Sequence, residues 1–96
     1  MLILVTYDVD TTTKEGEKRL RKVAKECINY GQRVQNSVFE CLITEAQFVR
    51  LKAILKSIIN NTTDSIRFYF LGNNWKRRIE MIGKETSYDP TDTLII

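Results

Sequence analysis

Hydrophobic and polar residues alternate along some stretches of the chain and recur every three or four residues along others. Residues 2–9, LILVTYDV, are rich in β-branched and aromatic side chains and too few for a helix, so they predict a strand. Thr12 and Glu15 then fit a capping box at the start of a helix. The apolar residues that follow recur at helical spacing before Gly31: Leu20, Val23, Ala24, Cys27 and Ile28. This part of the chain therefore predicts a strand followed by an amphipathic helix.

Two further β-type segments enclose a second helical pattern. Residues 32–44, QRVQNSVFECLIT, hold two short runs around Asn36 and Ser37. A two-residue turn there predicts a hairpin, and one long bulged strand is the alternative. Thr44 and Gln47 fit a second capping box, which opens a helix that ends at NNTTD. Its inward stripe consists of Phe48, Leu51, Leu55, Ile58 and Ile59. After it, SIRFYFL alternates as a strand does.

The predicted order of elements is βαββαβ, which indicates an α+β fold of the ferredoxin-like kind, with two helices on one face of an antiparallel sheet. The C-terminal stretches NNWKRRIEMIG and DPTDTLII add one or two short strands beyond that core. No repeat, low-complexity tract or linker divides the chain, so residues 1–96 are predicted to form a single domain. We interpret residues 84–96 as a strand that binds a partner.

Alternation along the strands assigns side chains to two faces of the predicted sheet. One face carries Ile3, Val5, Tyr7 and Val9, and the other carries Leu2, Leu4, Thr6 and Asp8. Depending on register, the hairpin adds to the face without helices either Val38 and Leu42 or Phe39, Cys41 and Ile43. Because two helices cover one face only, an apolar face stays open. We therefore predict a two-fold homodimer formed through the open sheet face.

Composition excludes several kinds of chemistry. The chain contains no histidine, which excludes histidine general bases, Ser-His-Asp and Cys-His nucleophiles and histidine-bound zinc. Its two cysteines, Cys27 and Cys41, have apolar neighbours and no CxxC spacing, and we interpret them as buried free thiols. No apolar run reaches the roughly 18–20 residues of a membrane span or forms a signal peptide. We therefore predict a cytoplasmic protein with no membrane partner.

The segment YDVD places two carboxylates, Asp8 and Asp10, at the end of the first predicted strand. In a two-fold dimer formed through the open sheet face, Asp8 of each subunit would approach its symmetry mate. Such a pair suits Mg²⁺ or Mn²⁺, which prefer oxygen donors and can polarise a phosphodiester and activate a water. The alternative is turn chemistry, in which the acids accept backbone N–H bonds, and Asp10 is well placed for it in DVDTTT.

Cationic residues form two clusters, in a chain whose 15 Lys and Arg and 12 Asp and Glu residues leave a net charge of +3. The first cluster lies on one side of the first helix, opposite its apolar stripe: Lys14, Lys18, Arg21, Lys22 and Lys25. The second follows Trp75 and consists of Lys76, Arg77 and Arg78. Clustered cations, doubled by dimerisation, bind a phosphate backbone irrespective of its sequence. A solvated charged face is the ordinary alternative for the helix.

The hairpin octet RVQNSVFE, together with YDVD at a strand end, resembles the Cas2 family of small CRISPR-associated proteins. The resemblance extends over essentially the whole chain, through the basic helix and the aromatic strand to the terminal LII. It implies a ferredoxin-like homodimer in which Asp8 of both subunits holds Mg²⁺ or Mn²⁺, and an endonuclease acting on double-stranded DNA or single-stranded RNA. It also implies a structural dimer of the CRISPR adaptation complex that integrates new spacers, with the CRISPR integrase subunit as a partner.

The resemblance also assigns roles to individual residues. Asp8 takes the metal, Tyr7 flanks it, and Arg33, Ser37 and Phe39 line or support the site. Arg19 matches an arginine often found early in the first helix. The predicted nucleic-acid-binding residues are therefore Lys14, Lys18, Arg19, Arg21, Lys76, Arg77 and Arg78.

Two other functions fit the same residues. One is a non-catalytic DNA-binding scaffold that bridges integrase dimers, in which Arg77, Arg78 and the helix lysines bind DNA. The other is a toxin-like ribonuclease of the same small fold.

The sequence departs from the family pattern at Gly16 and Glu17, where members of the family often have arginines.

Overall fold

The computed structural model describes residues 1–72 and 78–84 of the 96-residue chain. Its elements, in chain order, are β1 (Leu2–Asp8), α1 (Lys14–Ile28), β2 (Gln32–Gln35), β3 (Val38–Leu42), α2 (Glu45–Ile58), β4 (Ser65–Leu71) and β5 (Arg78–Gly83). The five described strands form one sheet in the order β2-β3-β1-β4-β5, and every neighbouring pair is antiparallel. The predicted α+β class is confirmed, and β5 is a strand beyond the six predicted core elements.

Several predicted features lie outside the described residues. These are Lys76, Arg77, the strand predicted in DPTDTLII, and the partner-binding tail from residue 85 onwards. Arg78 is the first residue of β5. None of the helices within residues 1–72 and 78–84 is long and apolar enough to cross a bilayer.

β1 is the central strand, and its register decides which face its neighbours occupy. Val5 lies opposite Phe39 of β3 and opposite Phe68 of β4, and all three side chains are fully buried. They join residues of both helices in one core, among them Val23, Cys27, Phe48, Leu51 and Leu55. Of the two sets proposed for the open face, Phe39, Cys41 and Ile43 are therefore core residues.

The sheet face away from the helices is apolar, but its exposure is uneven. Leu42 lies opposite Leu2 on this face and is 79% exposed. Leu4 and Tyr69 lie opposite each other on the same face and are buried. The exposed apolar surface is therefore at the β3 side of the face, while its centre is covered.

The two helix starts give one correct prediction and one error. The Thr44 hydroxyl accepts the Gln47 N–H at 3.1 Å, and Gln47 Oε1 accepts the Thr44 N–H at 2.9 Å, which is the predicted capping box of α2. α1 is capped by Thr13, whose hydroxyl accepts the Gly16 N–H at 3.0 Å. The predicted capping box that begins at Thr12 is therefore wrong.

The side chain of Asp10 explains this shift in the start of α1. Its Oδ1 accepts the Thr12 N–H at 2.9 Å and the Thr12 hydroxyl at 2.7 Å, so Thr12 is held in a turn and does not cap the helix. These two bonds lower the pKa of Asp10, and the bond from the Thr12 backbone N–H has the larger effect. Gly16 is buried against the same turn, because a Cβ there would overlap the Asp10 carbonyl oxygen. For Asp10, the turn chemistry given as the alternative is what the structure shows.

β2 and β3 form the predicted hairpin around Asn36 and Ser37. Gln35 pairs with Val38 across the turn, and the register shifts between Arg33 and Gln35. The alternative of one long strand is therefore wrong, because the chain reverses direction at Asn36.

Cys27 and Cys41 are buried free thiols, as predicted. Burial raises the pKa of Cys27 to about 12 and the pKa of Cys41 to about 11. Both side chains therefore stay protonated near neutral pH and do not act as nucleophiles.

Candidate active site at the end of the first strand

A pocket of about 220 Å³ lies at the C-terminal end of β1, between β3 and β4. Its lining comes from these three strands and the hairpin turn: Thr6, Tyr7, Asp8, Ser37, Val38, Ser65 and Arg67. Asp8 is exposed, and its Cα lies opposite that of Ser65 in the register of β1 and β4. The structure therefore brings Asp8, Tyr7 and Ser37 of the predicted site together.

The Asp8 carboxylate is available to a ligand. No residue within 1–72 or 78–84 donates a hydrogen bond to it. The hydroxyls of Thr6, Ser37 and Ser65 line the same pocket, so the donor set consists of hard oxygen atoms. Such donors fit Mg²⁺ or Mn²⁺ better than softer metals. The described part of the chain contains no group of three or more acidic or thiol side chains placed to hold a metal ion. Among the described residues that line this pocket, Asp8 contributes the one carboxylate.

Tyr7 supports the pocket from the core side of β1. Its hydroxyl donates to the Asn36 carbonyl oxygen at 3.2 Å, and its backbone N–H donates to the Ser37 carbonyl oxygen at 3.1 Å. Its ring stacks on Phe39 with centroids 6.1 Å apart, and the Arg33 guanidinium lies 5.1 Å from the Phe39 centroid. Burial raises the pKa of Tyr7, although Arg33 opposes that increase. Phe39 and Arg33 therefore hold Tyr7 and the hairpin turn in place without lining the pocket.

Asp64 is a fully buried residue. It lies next to the pocket in the chain, directly before the lining residue Ser65. It accepts hydrogen bonds from Arg19 Nε (2.8 Å), the Asn60 N–H (2.9 Å), the Asp10 N–H (3.0 Å) and the Thr63 hydroxyl (3.0 Å). Burial acts to raise the pKa of Asp64, but the hydrogen bonds, led by that of Arg19, outweigh burial and hold this pKa below its usual value. The carboxylate is therefore ionised and saturated by internal donors.

Arg19 differs from the cations around it on α1. Its Nε lies 2.8 Å from Asp64 Oδ2, and its side chain is only 20% exposed. The Arg19 guanidinium is therefore engaged inside the protein. The other cations of the predicted helix cluster are all exposed: Lys14, Lys18, Arg21, Lys22 and Lys25. None of these five forms an ion pair with another described residue. They lie on the side of α1 opposite its apolar stripe, and we call these five residues the α1 cationic face.

Sequence reasoning missed Asp64, Ser65 and Arg67. Asp64 ends the polar turn NNTTD, and a polar residue in such a turn has no periodicity that would mark it as buried. Arg67 and Ser65 carry a weak signal, since they occupy the non-core positions of the alternating strand SIRFYFL. Their position beside Asp8 depends on the pairing of β1 with β4, which only the fold establishes.

These features define a class of protein: a small α+β domain with an oxygen-donor pocket at one end of its sheet and a cationic helix suited to a polyanion. The family model described as "CRISPR associated protein Cas2" matches residues 1–79. The chain therefore belongs to the Cas2 family, which confirms the resemblance described above.

Individual relatives agree with this assignment. The chain is 57% identical over 95 residues to the CRISPR-associated endonuclease Cas2 of Halalkalibacterium halodurans, covering 99% of each chain. It is 53% identical over 96 residues to the CRISPR-associated endoribonuclease Cas2 of Chlorobaculum tepidum, covering 100% of each. The crystal structure of Streptococcus pyogenes Cas2 at pH 6.5 is 65% identical with a TM-score of 0.72, covering 78% of this chain and 90% of that chain.

Proposed function

We propose that the protein is a CRISPR-associated nuclease that hydrolyses phosphodiester bonds of double-stranded DNA or single-stranded RNA. Two relatives at 57% and 53% identity carry the names endonuclease and endoribonuclease. The observation that carries the proposal is the exposed Asp8 carboxylate, which has no internal donor among the described residues and lies in a pocket with hydroxyl groups and Arg67. We place the activity in the cytoplasm, where the thiols of Cys27 and Cys41 remain reduced.

The active form in this proposal is a homodimer with a ferredoxin-like subunit. The strand order β2-β3-β1-β4 with both helices packed in one core supports the ferredoxin-like arrangement. The exposed Leu42 on the helix-free face supports burial of that face against a second copy. Because each chain contributes one carboxylate, a two-fold dimer supplies the second from Asp8 of its partner subunit.

Mg²⁺ or Mn²⁺ is the cofactor that the donor set fits, and when bound it would polarise the phosphodiester and lower the pKa of a water. The chain's own residues have three tasks. Asp8 would hold the cation, and the hydroxyls of Ser37 and Ser65, which line the same pocket, would donate to phosphate oxygens. Arg67 adds positive charge to the pocket wall, which favours a phosphate there. The packing of Tyr7 keeps the hairpin turn, and with it Ser37, at the pocket.

Asp8→Asn tests the catalytic part, with Asp10→Asn as a matched control that removes a carboxylate two residues away. We expect Asp8→Asn to lose at least about 100-fold in cleavage with Mg²⁺ while it folds and associates as the wild type does. Asp10→Asn should cleave within about threefold of wild type, since its amide oxygen still accepts from Thr12. Cleavage of RNA and duplex DNA is compared with Mg²⁺ and with chelator. Equal cleavage by Asp8→Asn and wild type would overturn the proposal.

Leu42→Glu tests the dimer, with Val49→Glu as its control. Both residues are exposed, Leu42 on the open sheet face and Val49 on α2, at 79% and 65%. A buried unpaired carboxylate at the sheet interface should weaken association at least about 10-fold, and cleavage should fall with the dimer fraction. Sedimentation measures association. A dimer that resists Leu42→Glu but dissociates with Val49→Glu would place the interface on α2.

A second candidate function is favoured by the α1 cationic face. Five exposed cations on one helix suit a DNA backbone, so the dimer could serve the CRISPR adaptation complex as a non-catalytic DNA-binding scaffold between integrase subunits. In that case Asp8→Asn would bind DNA and support spacer integration as well as wild type does. Loss of integration in Asp8→Asn would contradict the hypothesis that the dimer is a non-catalytic scaffold.

A further inference from the structure

The Asp64 carboxylate connects the two chain segments that present the candidate active site. Asp64 directly precedes Ser65, whose Cα lies opposite that of Asp8. Its Oδ1 accepts the backbone N–H of Asp10, two residues beyond Asp8, at 3.0 Å. Its own carbonyl oxygen accepts the Lys84 N–H at 2.6 Å, where β5 has just ended. One residue therefore holds the ends of β1 and β5 and the start of β4 together.

Arg19 completes this junction from α1. Its Nε donates to Asp64 Oδ2 at 2.8 Å, and its Nη2 lies 3.5 Å from Oδ1. The Asn60 N–H and the Thr63 hydroxyl occupy the remaining acceptor directions of the carboxylate at 2.9 and 3.0 Å. Because every donor comes from the protein and Asp64 has no exposed surface, this carboxylate cannot reach a substrate or a cation.

We propose that Asp64 and Arg19 are positioning residues for the candidate active site, which fix the orientation of Asp8 without contacting the substrate. The kinetic part of this inference rests on the proposed nuclease function. The physical reason is that the segment after Asp8 leaves the sheet, and the Asp10 N–H bond to Asp64 is the described contact that anchors it to the start of β4. A displacement of about 1 Å at a reacting group costs roughly 100-fold in rate.

If Arg19 positions Asp8, its substitution should have different effects from the loss of a contact between Arg19 and a phosphate. A phosphate contact would appear in binding, so its loss would raise KM and reduce the salt dependence of nucleic-acid affinity. A positioning role would appear in kcat, with KM and the salt dependence unchanged. It would also appear in the protein without any nucleic acid, as faster amide exchange at Asp8 and Asp10.

The experiment compares Asp64→Asn, Arg19→Gln and Arg19→Lys. Glu80→Gln is the control, because it also removes a carboxylate from an ion pair, that of Glu80 with Lys52, which lies between other described residues. We expect kcat to fall about 10- to 100-fold in Asp64→Asn and Arg19→Gln, with KM within about twofold of wild type. Arg19→Lys should recover part of kcat, since its ammonium still pairs with Asp64. Amide exchange at Asp8 and Asp10 should rise at least about tenfold in the two damaging variants, relative to amides of central β1, while Glu80→Gln matches wild type.

Two results would overturn the inference. One is wild-type exchange at Asp8 and Asp10 in a folded Asp64→Asn or, should that variant not fold, in Arg19→Gln. The other is a raised KM and a weaker salt dependence in Arg19→Gln with kcat unchanged, which would make Arg19 a phosphate contact. A wild-type protein that cleaves nothing, combined with faster exchange in the variants, would refute the nuclease function and support the positioning of Asp8.

Discussion

Asp8 and Asp64 lie at the same end of the sheet, beside paired positions of β1 and β4, yet their carboxyl groups have opposite surroundings. Asp64 has no exposed surface and accepts four hydrogen bonds of 2.8 to 3.0 Å, from Arg19, Asn60, Asp10 and Thr63. Asp8 is exposed, and no described residue donates to it. Two identical functional groups at one end of the sheet therefore have different physical tasks.

The difference shows how a carboxylate is assigned to structure or to chemistry. A buried charge is stable only where hydrogen-bond donors replace its lost water. A carboxylate such as Asp64, whose oxygens all accept hydrogen bonds from the protein, therefore has a structural role. An exposed acid with no internal donor contributes little to stability, and its oxygens remain free for a cation or a phosphate-bound water.

Asp64→Ala should destabilise the protein by roughly 3–5 kcal/mol, because it leaves the Arg19 guanidinium and two backbone N–H groups without their acceptor. Asp8→Ala should change the free energy of unfolding by about 0.5 kcal/mol or less. Urea unfolding of both variants measures the contrast. Equal losses in the two variants would mean that Asp8 has a structural partner.

The acid side of the stability profile should depend on Asp64. Its pKa in the folded protein lies below the usual 3.8, so its contribution is fully present above that value and is lost as the pH falls through the lower, folded pKa. The gap in unfolding free energy between wild type and Asp64→Asn should therefore be constant from about pH 7 to 5 and shrink below about pH 4. A gap that widens on acidification would contradict this assignment.

Thr13→Ala should cost about 1 kcal/mol, since it removes the hydroxyl that caps α1 beside the Asp10 turn. Thr12→Ala is the control: it loses a side-chain bond to Asp10 but keeps the backbone N–H bond, so its cost should be smaller. Thermal unfolding at neutral pH measures both. The reverse order would restore the cap predicted at Thr12.

Replacing Lys18 and Lys22 together by Gln should leave stability within about 0.5 kcal/mol, because these exposed cations have no described ion-pair partner. If the α1 cationic face binds duplex DNA, the slope of log affinity against log salt should fall by up to about 2. Fluorescence anisotropy at several salt concentrations measures it. An unchanged slope would show that this face is merely solvated.

Patterns within short segments predicted much of the fold correctly. The hairpin at Asn36 and Ser37 and the capping box of Thr44 depend on interactions between residues at most a few positions apart, so the local sequence carries enough information. The start of α1 was misplaced because Thr12 and Thr13 are equally good caps by residue type. The choice between them was made by the Asp10 side chain, which competes for Thr12.

In the candidate site too, local sequence predicted some residues and missed those whose partners are distant in the chain. Asp8 was found from its place at a strand end, and the family resemblance added Tyr7, Arg33, Ser37 and Phe39. Asp64 was not found, because its partners Asp10 and Arg19 are 54 and 45 residues away in the chain. No periodicity encodes a contact over that separation.

Residue order alone was enough to establish the α+β class, the absence of imidazole chemistry and the acidic end of β1, since each follows from composition or from short-range spacing. The tertiary structure decided which apolar set of β3 faces the helices, which arginine of α1 is internal, and which acid remains exposed. Those outcomes depend on strand register and on burial. Both are set by contacts between segments that are distant in the chain, where the loss of water forces each polar group to find a partner.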